Sequence, residues 1–159
     1  MYADLHLHTN FSDGTFTPEE LAEHGQRVGL SAMALTDHDT VDGCARMAVA
    51  CVERDIEFVP GCEFTVEHAG NELHLLGYFL DLENDRLRGE LAKYQKVRRN
   101  RIHEMVEKLN ELGVAITDGD VMKIANCDSP GRPHIGRALV ALGHCGSLDE
   151  AFRKWLKKG

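Results

Sequence analysis

The stretch Asp4-Leu5-His6-Leu7-His8 places carboxylate and imidazole groups at alternate positions near the start of the chain. Alternate residues of a β-strand share a face, so Asp4, His6 and His8 are predicted to point in one direction. Leu5 and Leu7 are predicted to point the other way, into apolar packing. The pattern indicates a strand that ends in a metal site, although a His-x-His pair is equally compatible with ordinary surface residues.

Composition places the chain among globular proteins. Its 159 residues are enough for one domain with a full core, and 43% are hydrophobic and 28% charged. No stretch approaches the roughly 20 apolar residues that span a bilayer, and no signal-peptide pattern opens the sequence. The net charge of −8 argues against a broad footprint for duplex nucleic acid, although a local basic patch can still hold phosphates.

The cysteines indicate a reducing compartment. Five are present, an odd number, and none are spaced as Cys-x-x-Cys. A disulfide framework and a thiolate zinc site are therefore not expected, and a cytoplasmic location is predicted. The nine histidines and 26 acidic residues supply imidazole and carboxylate ligands instead.

The first half alternates predicted strands with predicted helices. Thr17-Pro18-Glu19-Glu20 is a helix start with a capping box, and Gly29 ends that helix. Strands are predicted at 31–35 and 56–60, with a helix over 41–54 between them. This β-α-β-α-β order is typical of a parallel sheet with right-handed crossovers. A hairpin is predicted from 65–68 and 72–79, with its turn at 69–71.

The second half is predicted to be helical. The sequence predicts helices over 86–112, 118–125, 133–142 and 148–158, with Gly113 ending the first. No low-complexity linker separates the halves. We therefore expect a β/α segment over residues 1–84 and a helical segment over residues 85–159.

Potential metal ligands follow every predicted parallel strand. In chain order they are His6, His8 and Asp13 after the first strand, Asp37 and His38 after the second, and Glu63 after the third. Active sites of β/α folds form at the carboxyl ends of their strands, so these groups are expected to converge. No nucleophile elbow, phosphate-binding glycine loop or dinucleotide fingerprint is present to suggest another chemistry.

Two residues refine the expected metal site. His74 lies in the predicted hairpin, where a lone histidine is more often a core residue, but nearby ligands favour a metal role. Glu63 can bridge two cations through its two oxygens, which an imidazole cannot do. Imidazole and carboxylate without thiolate suit Mn, Fe or Zn, and two or three such ions can activate water and hold a phosphoryl group.

Taken together, these motifs resemble the PHP (polymerase and histidinol phosphatase) superfamily of metal-dependent phosphoesterases. The motifs are His6-x-His8 with Asp13, Thr36-Asp37-His38-Asp39, Gly61-x-Glu63 and Leu73-His74-Leu75-Leu76-Gly77-Tyr78. Similarity is greatest to the stand-alone nucleotide-hydrolysing branch, whose helical insertion resembles the segments 131–137 and 152–156. The resemblance implies an α/β fold: the N-terminal part of a distorted (β/α)7 PHP barrel with an inserted helical segment.

The resemblance also implies a trinuclear metal centre with a role for each ligand. His6 and His8 would hold one ion, and Glu63 would bridge it to a second ion that His74 helps to hold. Asp13 and His38 would hold the third. Asp4 and Asp37 would orient the histidines and so support a metal-bound hydroxide as the nucleophile. Mn is the expected metal, with Fe or Zn as alternatives.

One part of the family pattern is missing. PHP proteins take further ligands from an Ala-His-Pro segment and an Asp-x-His segment in their C-terminal half, and the chain reaches Gly159 with neither. Three parallel strands also cannot close a barrel. We therefore expect a longer protein in which the C-terminal part of the barrel carries those ligands.

A basic cluster at Lys96, Arg98, Arg99 and Arg101 has two interpretations. It can be a solvated helix face, paired with nearby glutamates, or a phosphate-binding face, because residues three apart on a helix are neighbours. The family resemblance supports the second interpretation. It indicates substrate binding by Arg98, Arg101, Arg132 and His134.

The predicted function is hydrolysis of a nucleotide phosphomonoester, such as a nucleoside 3',5'-bisphosphate, or trimming of short RNA from its 5' end. The expected partner is thus a phosphorylated small molecule, a nucleotide or short RNA, with no membrane. Histidinol-phosphate phosphatase is one alternative. A non-catalytic, metal-binding PHP module associated with a polymerase is the other.

Overall fold

A curled four-stranded sheet forms the first half of the molecule. The computed structural model describes residues 2–156. Strands β1 (Tyr2–Leu7), β2 (Leu30–Leu35), β3 (Glu57–His68) and β4 (Asn71–Tyr78) lie side by side in that order. The first two pairs are parallel and β3–β4 is an antiparallel hairpin. The Tyr78 hydroxyl donates a 2.8 Å hydrogen bond to the Leu5 carbonyl, so the sheet curls until its two edge strands meet.

Two helices cover the parallel part of this sheet. Helix α1 (Pro18–Arg27) begins with the predicted capping box, in which Thr17 and Glu20 bond each other's backbone N–H. Helix α2 (Cys44–Val52) follows β2. Their inner faces join the strands in one apolar core that includes Met33, Leu35 and Met47. Burying these side chains leaves the carboxyl ends of the strands open at one edge.

The second half is helical and has its own apolar core. It contains α3 (Asp85–Glu111), α4 (Asp118–Ala125), α5 (Arg132–Ala141) and α6 (Leu148–Ala151). A π-helical turn, Phe152–Leu156, continues from α6. Residues of α3, α4, α5 and the π-helical turn fill the core, among them Val106, Val121, Leu139 and Leu156. Among the described residues, no helix is long and apolar enough to cross a membrane.

Three details differ from the sequence prediction. Strand β3 runs without a break from Glu57 to His68, because residues from Gly61 onward pair with β4 where a loop was expected. Helix α2 occupies only part of the predicted 41–54 range. Leu5 was expected in apolar packing but is 44% exposed, because β1 lies at the sheet edge. The end of the predicted helix 148–158 falls outside the described residues.

Candidate metal centre

Asp37 joins the end of β2 to the loop that follows β1. Its buried carboxylate accepts hydrogen bonds from the Thr9 amide (2.7 Å), the Thr9 hydroxyl (2.5 Å) and the Ser12 hydroxyl (2.6 Å). Burial raises the pKa of Asp37, although these hydrogen bonds oppose the increase. Gly14 completes the loop, since a Cβ there would lie 2.3 Å from the His8 carbonyl oxygen. The loop is thereby fixed with Asp13 beside the strand ends.

Glu63 lies at the centre of a histidine cluster. Its Oε2 is 2.8 Å from His6 Nε2, 3.1 Å from His8 Nε2 and 3.6 Å from His38 Nδ1. Its other oxygen, Oε1, is 2.8 Å from His74 Nδ1. Burial raises the pKa of Glu63, but the His6 hydrogen bond and the neighbouring imidazoles outweigh it, and the net pKa is lowered. An ionised carboxylate with its two oxygens facing different histidines suits a bridge between two cations.

The ligand atoms form three overlapping groups, each compact enough for one ion. The groups are His6, His8 and Glu63; His8, Asp13 and His38; and His38, Glu63 and His74, with the ligand atoms of each group within 4.8 Å of one another. All six predicted ligands are thus brought together. The groups differ from the expected sets in two details. His8 also approaches Asp13, at 3.8 Å, and His38 also approaches Glu63.

Two ring nitrogens in this cluster fit a metal rather than a protein partner. The Nδ1 atoms of His8 and His38 are buried and have no hydrogen-bond partner among residues 2–156. Burial lowers the pKa of His38 to about 4, with the Arg98 charge acting in the same direction, so its ring is neutral near pH 7. A neutral imidazole is the form that binds metals, and a buried nitrogen without a partner is costly unless an ion or water satisfies it.

A cavity of about 190 Å³ opens beside the cluster. Asp13, His38 and His74 line one side, and the predicted substrate-binding residues Arg98, Arg101 and Arg132 also line it. The cavity therefore combines the candidate metal ligands with cationic side chains. Ile102, Met105 and Phe152 add an apolar part to the wall.

His134, the fourth residue predicted to bind substrate, is placed differently. It is buried, does not line this cavity, and its Nδ1 accepts a 3.0 Å hydrogen bond from the Gly131 amide. Burial, with the charge of Arg137, lowers the pKa of His134 to about 4. In the described structure His134 caps the N-terminus of α5.

The carboxylate partners of the histidines also differ from expectation. Asp4 accepts a hydrogen bond from the His6 backbone amide at 3.2 Å, and Asp37 is bonded to Thr9 and Ser12, as described above. Neither is hydrogen-bonded to a histidine ring in the part of the chain that the structure describes. Glu72 instead lies 3.5 Å from His74 Nε2 and accepts a 2.5 Å hydrogen bond from Arg101.

Sequence reasoning missed two acidic residues that bond arginines of the cavity, Glu72 and Asp39. The sequence does contain a signal for Glu72. It lies two positions before His74 in β4, and alternate residues of a strand share a face. Asp39 bonds Arg98 from a position 59 residues away in sequence. No local pattern predicts a pairing at that separation.

Family membership follows from a comparison with known proteins. The family model described as "PHP domain" matches residues 4–89, which include most of β1, all of β2 to β4 and all six candidate ligands. The chain belongs to the PHP domain family. The predicted resemblance is confirmed, and the curled mixed α/β sheet agrees with the predicted class.

Relatives of this PHP chain are named as a phosphatase and as exoribonucleases. It is 33% identical to the 3',5'-nucleoside bisphosphate phosphatase of Chromobacterium violaceum, over 98% of the chain and 55% of that protein. It is 30% identical to a 5'-3' exoribonuclease of Haemophilus influenzae, over 98% of the chain and 57% of that protein. A solved structure from Bifidobacterium adolescentis, described as a metal-dependent phosphoesterase, superimposes with a TM-score of 0.88 at 34% identity.

That alignment covers 97% of the PHP chain and 55% of the solved chain. The PHP chain therefore spans about half the length of the relatives it matches. Its similarity to them extends through the helical half as well as the sheet.

Proposed function

We propose that this PHP chain carries the metal-binding part of a phosphoesterase that hydrolyses a phosphomonoester of a nucleotide. A nucleoside 3',5'-bisphosphate is the preferred substrate in this proposal. The alternative reaction is the trimming of short RNA from its 5' end, in which a phosphodiester is hydrolysed. The observation that carries the proposal is the position of Glu63, whose two oxygens face different histidines next to an arginine-lined cavity.

The donor set supports divalent metal use. His6, His8 and Glu63 would hold one ion, Glu63 and His74 a second, and Asp13 with His38 a third. Bound divalent ions supply two functions: they lower the pKa of a coordinated water and neutralise charge on phosphoryl oxygens. Imidazole and carboxylate donors without thiolate favour Mn, with Fe or Zn as alternatives.

The protein's own contribution is to position the ligands and the substrate. Asp37 fixes the loop that carries Asp13, and Asp4 holds the backbone of β1 next to His6. Glu72 lies near the His74 ring nitrogen that faces away from Glu63, the place where a carboxylate orients a metal-binding histidine. Asp4 and Asp37 thus fix the backbone and the loop that carry candidate ligands, and Glu72 lies beside the His74 ring.

Substrate binding is assigned to the cationic side of the cavity. Arg98, Arg101 and Arg132 line it together with ligand residues, so one phosphate can reach the metal centre while arginines bind the rest of the molecule. Two separated phosphates would suit this arrangement. The names of the Chromobacterium and Haemophilus relatives point to the same substrate class.

We also propose the domain organisation and location predicted from the sequence. Residues 1–84 would be the N-terminal part of a distorted (β/α)7 barrel, residues 85–159 a helical insertion, and the remaining ligands would lie in the part of a longer protein that corresponds to the relatives' other half. The five cysteines are all free thiols, which suits a cytoplasmic location.

The experiment that tests this function is hydrolysis of a panel of esters by the metal-loaded protein, measured as inorganic phosphate from the monoesters and as nucleoside 5'-monophosphate from the RNA. The panel contains adenosine 3',5'-bisphosphate, a 5'-phosphorylated short RNA, histidinol phosphate and glycerol phosphate. We expect the bisphosphate or the RNA to be hydrolysed fastest, and a chelator to abolish hydrolysis.

Other results would change the assignment. Equal activity on histidinol phosphate and the bisphosphate would contradict a nucleotide substrate while keeping a phosphatase. Protein that is loaded with metal and hydrolyses none of the esters would indicate the non-catalytic module.

A further inference from the structure

We infer that Asp39 is a positioning residue, which fixes the Arg98 guanidinium so that its Nη1 edge faces the cavity. The inference rests on the proposed function, because it takes Arg98 as a phosphate-binding group. Asp39 immediately follows the candidate ligand His38, and its side chain is fully buried. Full burial shields this carboxylate from water, so its partners are the protein groups around it.

Asp39 occupies an unusual backbone position. Its φ is +51°, in the left-handed region that costs most residues energy but that Asp and Asn tolerate best. The conformation is held on both sides: the Asp39 amide donates to the Glu63 carbonyl at 3.0 Å, and the Asp39 carbonyl accepts from Gln95 at 3.2 Å. Asp39 therefore joins the end of β2, the middle of β3 and helix α3.

The Asp39 carboxylate directs one edge of Arg98. Oδ1 accepts from the Thr65 amide at 2.8 Å, and Oδ2 accepts from the Thr65 hydroxyl at 2.8 Å and from Arg98 Nε at 2.5 Å. Arg98 Nη2 also donates to the Thr65 hydroxyl, at 2.7 Å. The Nε and Nη2 edge of the guanidinium is thereby engaged by Asp39 and Thr65.

The opposite edge of Arg98 lies at the cavity. A Cβ built on Gly131 would be 3.7 Å from Arg98 Nη1 and 3.8 Å from Asp13 Oδ2, so Nη1 lies on the side of the candidate ligand Asp13. The Arg98 side chain is only 13% exposed, which leaves it little freedom. A planar guanidinium with one edge fixed presents its other edge in a defined direction, which a lysine cannot do.

Arg101 lines the same cavity but is held differently. Its partner Glu72 and its own side chain are both about 40% exposed, at 40% and 42%. An exposed pair is screened by water and constrains the arginine weakly. Arg98 is thus the arginine with a fixed geometry, and Asp39 is the residue that provides it.

The test is a double-mutant cycle on the metal-loaded protein with Asp39→Asn and Arg98→Ala. Asn tolerates the left-handed backbone and keeps an acceptor for the Thr65 amide, but its NH₂ group opposes Arg98 Nε. We expect Asp39→Asn to raise KM for adenosine 3',5'-bisphosphate about tenfold with kcat within about threefold. In the Arg98→Ala background, Asp39→Asn should raise KM no further.

A control separates positioning from simple loss of an ion pair on α3. Asp128→Asn removes the charge that pairs with Arg99, on a side chain that is 77% exposed, and should leave KM unchanged. If Asp39→Asn does not fold, Thr65→Val replaces it in the cycle. Thr65→Val removes one Arg98 contact, and KM should rise about threefold.

Titration calorimetry with inorganic phosphate provides a second test, because it measures phosphate affinity without requiring turnover. Loss of phosphate affinity in Asp39→Asn that disappears in the Arg98→Ala background supports the inference, even if no ester is hydrolysed. Additive losses in the two variants, or a fall in kcat and metal content with unchanged phosphate affinity, would overturn it. So would wild-type protein that binds no phosphate. Failure of the proposed function alone would appear as phosphate binding without ester hydrolysis.

Discussion

Glu63 is the residue on which the proposed metal centre depends most. It contacts four histidines, through Oε2 on one side and Oε1 on the other. Glu63→Gln keeps the shape but removes the charge and one acceptor oxygen. We expect at least about 100-fold weaker metal binding, because changes to residues that merely orient ligands already cost 10 to 100-fold. Metal content after dialysis, by mass spectrometry, measures this.

The matched control is Glu67→Gln, an exposed glutamate further along the same strand. Its metal content should equal that of the unmodified protein. Equal metal content in Glu63→Gln and Glu67→Gln would contradict a ligand role for Glu63.

His134 gives a pH-dependent contribution to stability. Its folded-state pKa of about 4 lies below its ordinary value of 6.5, so the unfolded chain binds the proton more readily. The contribution, up to about 3 kcal/mol, is fully present above pH 6.5 and is lost as the pH falls toward 4. His134→Gln removes the titration and keeps a side chain suited to capping. Its urea midpoint should vary less between pH 4 and 7.

His103→Gln is the control for that measurement. His103 is exposed on α3, and its hydrogen bond to Asp118 raises its pKa, so its contribution is lost as the pH rises. The acid-side fall in stability should therefore persist in His103→Gln. An unchanged pH profile in His134→Gln would show that another group causes the fall.

At the scale of elements, a loop and a helix respond oppositely to added methyl groups. A Cβ on Gly14 would lie 2.3 Å from backbone of His8, which cannot move without displacing a candidate ligand. A Cβ on Gly89, inside α3, would meet no atom within 4 Å. Gly14→Ala should lower both thermal stability and metal affinity, whereas Gly89→Ala should stabilise the protein by about 0.5 to 1 kcal/mol. Thermal melting with and without Mn²⁺ tests both, and an unaffected Gly14→Ala would contradict the loop geometry.

The sequence predicted strand ends better than other features. Alternating polar and apolar residues mark a strand, glycines mark the loop that follows, and both signals are local. The structure places His6, Asp13 and His38 at or just after the ends of β1 and β2, and Glu63 where the parallel pairing of β3 gives way to the hairpin. The continuous β3 was not predicted, because Gly61 in a strand usually indicates a break. Here a Cβ on Gly61 would lie 2.9 Å from the Gly77 carbonyl oxygen, so close pairing within the hairpin accounts for the glycine.

At the scale of the whole molecule, the cavity depends on contacts between the two halves. Arg98 reaches Asp39 across 59 residues, and Arg137 donates to the Asp13 carbonyl across 124. Such pairings are set by packing of two separate cores, so no sequence pattern predicts which arginine is anchored and which is exposed. The placement of His134 as the cap of the α5 N-terminus, instead of at the cavity, has the same cause.

Metal binding should also stabilise the molecule as a whole. Ions that bind only the folded state add about 2.7 kcal/mol when present at 100 times their dissociation constant. Adding Mn²⁺ should therefore raise the thermal midpoint, and a chelator should reverse the change. The Glu63→Gln variant should respond much less. A midpoint that is the same with Mn²⁺ and with chelator would contradict metal binding by the folded chain.

The bridging role of Glu63 can be tested by anomalous X-ray scattering from crystals of the Mn²⁺-loaded protein, collected at the manganese edge. Glu63 is predicted to lie between two metal ions, one at each carboxylate oxygen. We expect two anomalous peaks within bonding distance of Glu63, one beside His6 and His8 and the other beside His74. Peaks elsewhere on the molecule, with none among these histidines, would contradict this bridging role.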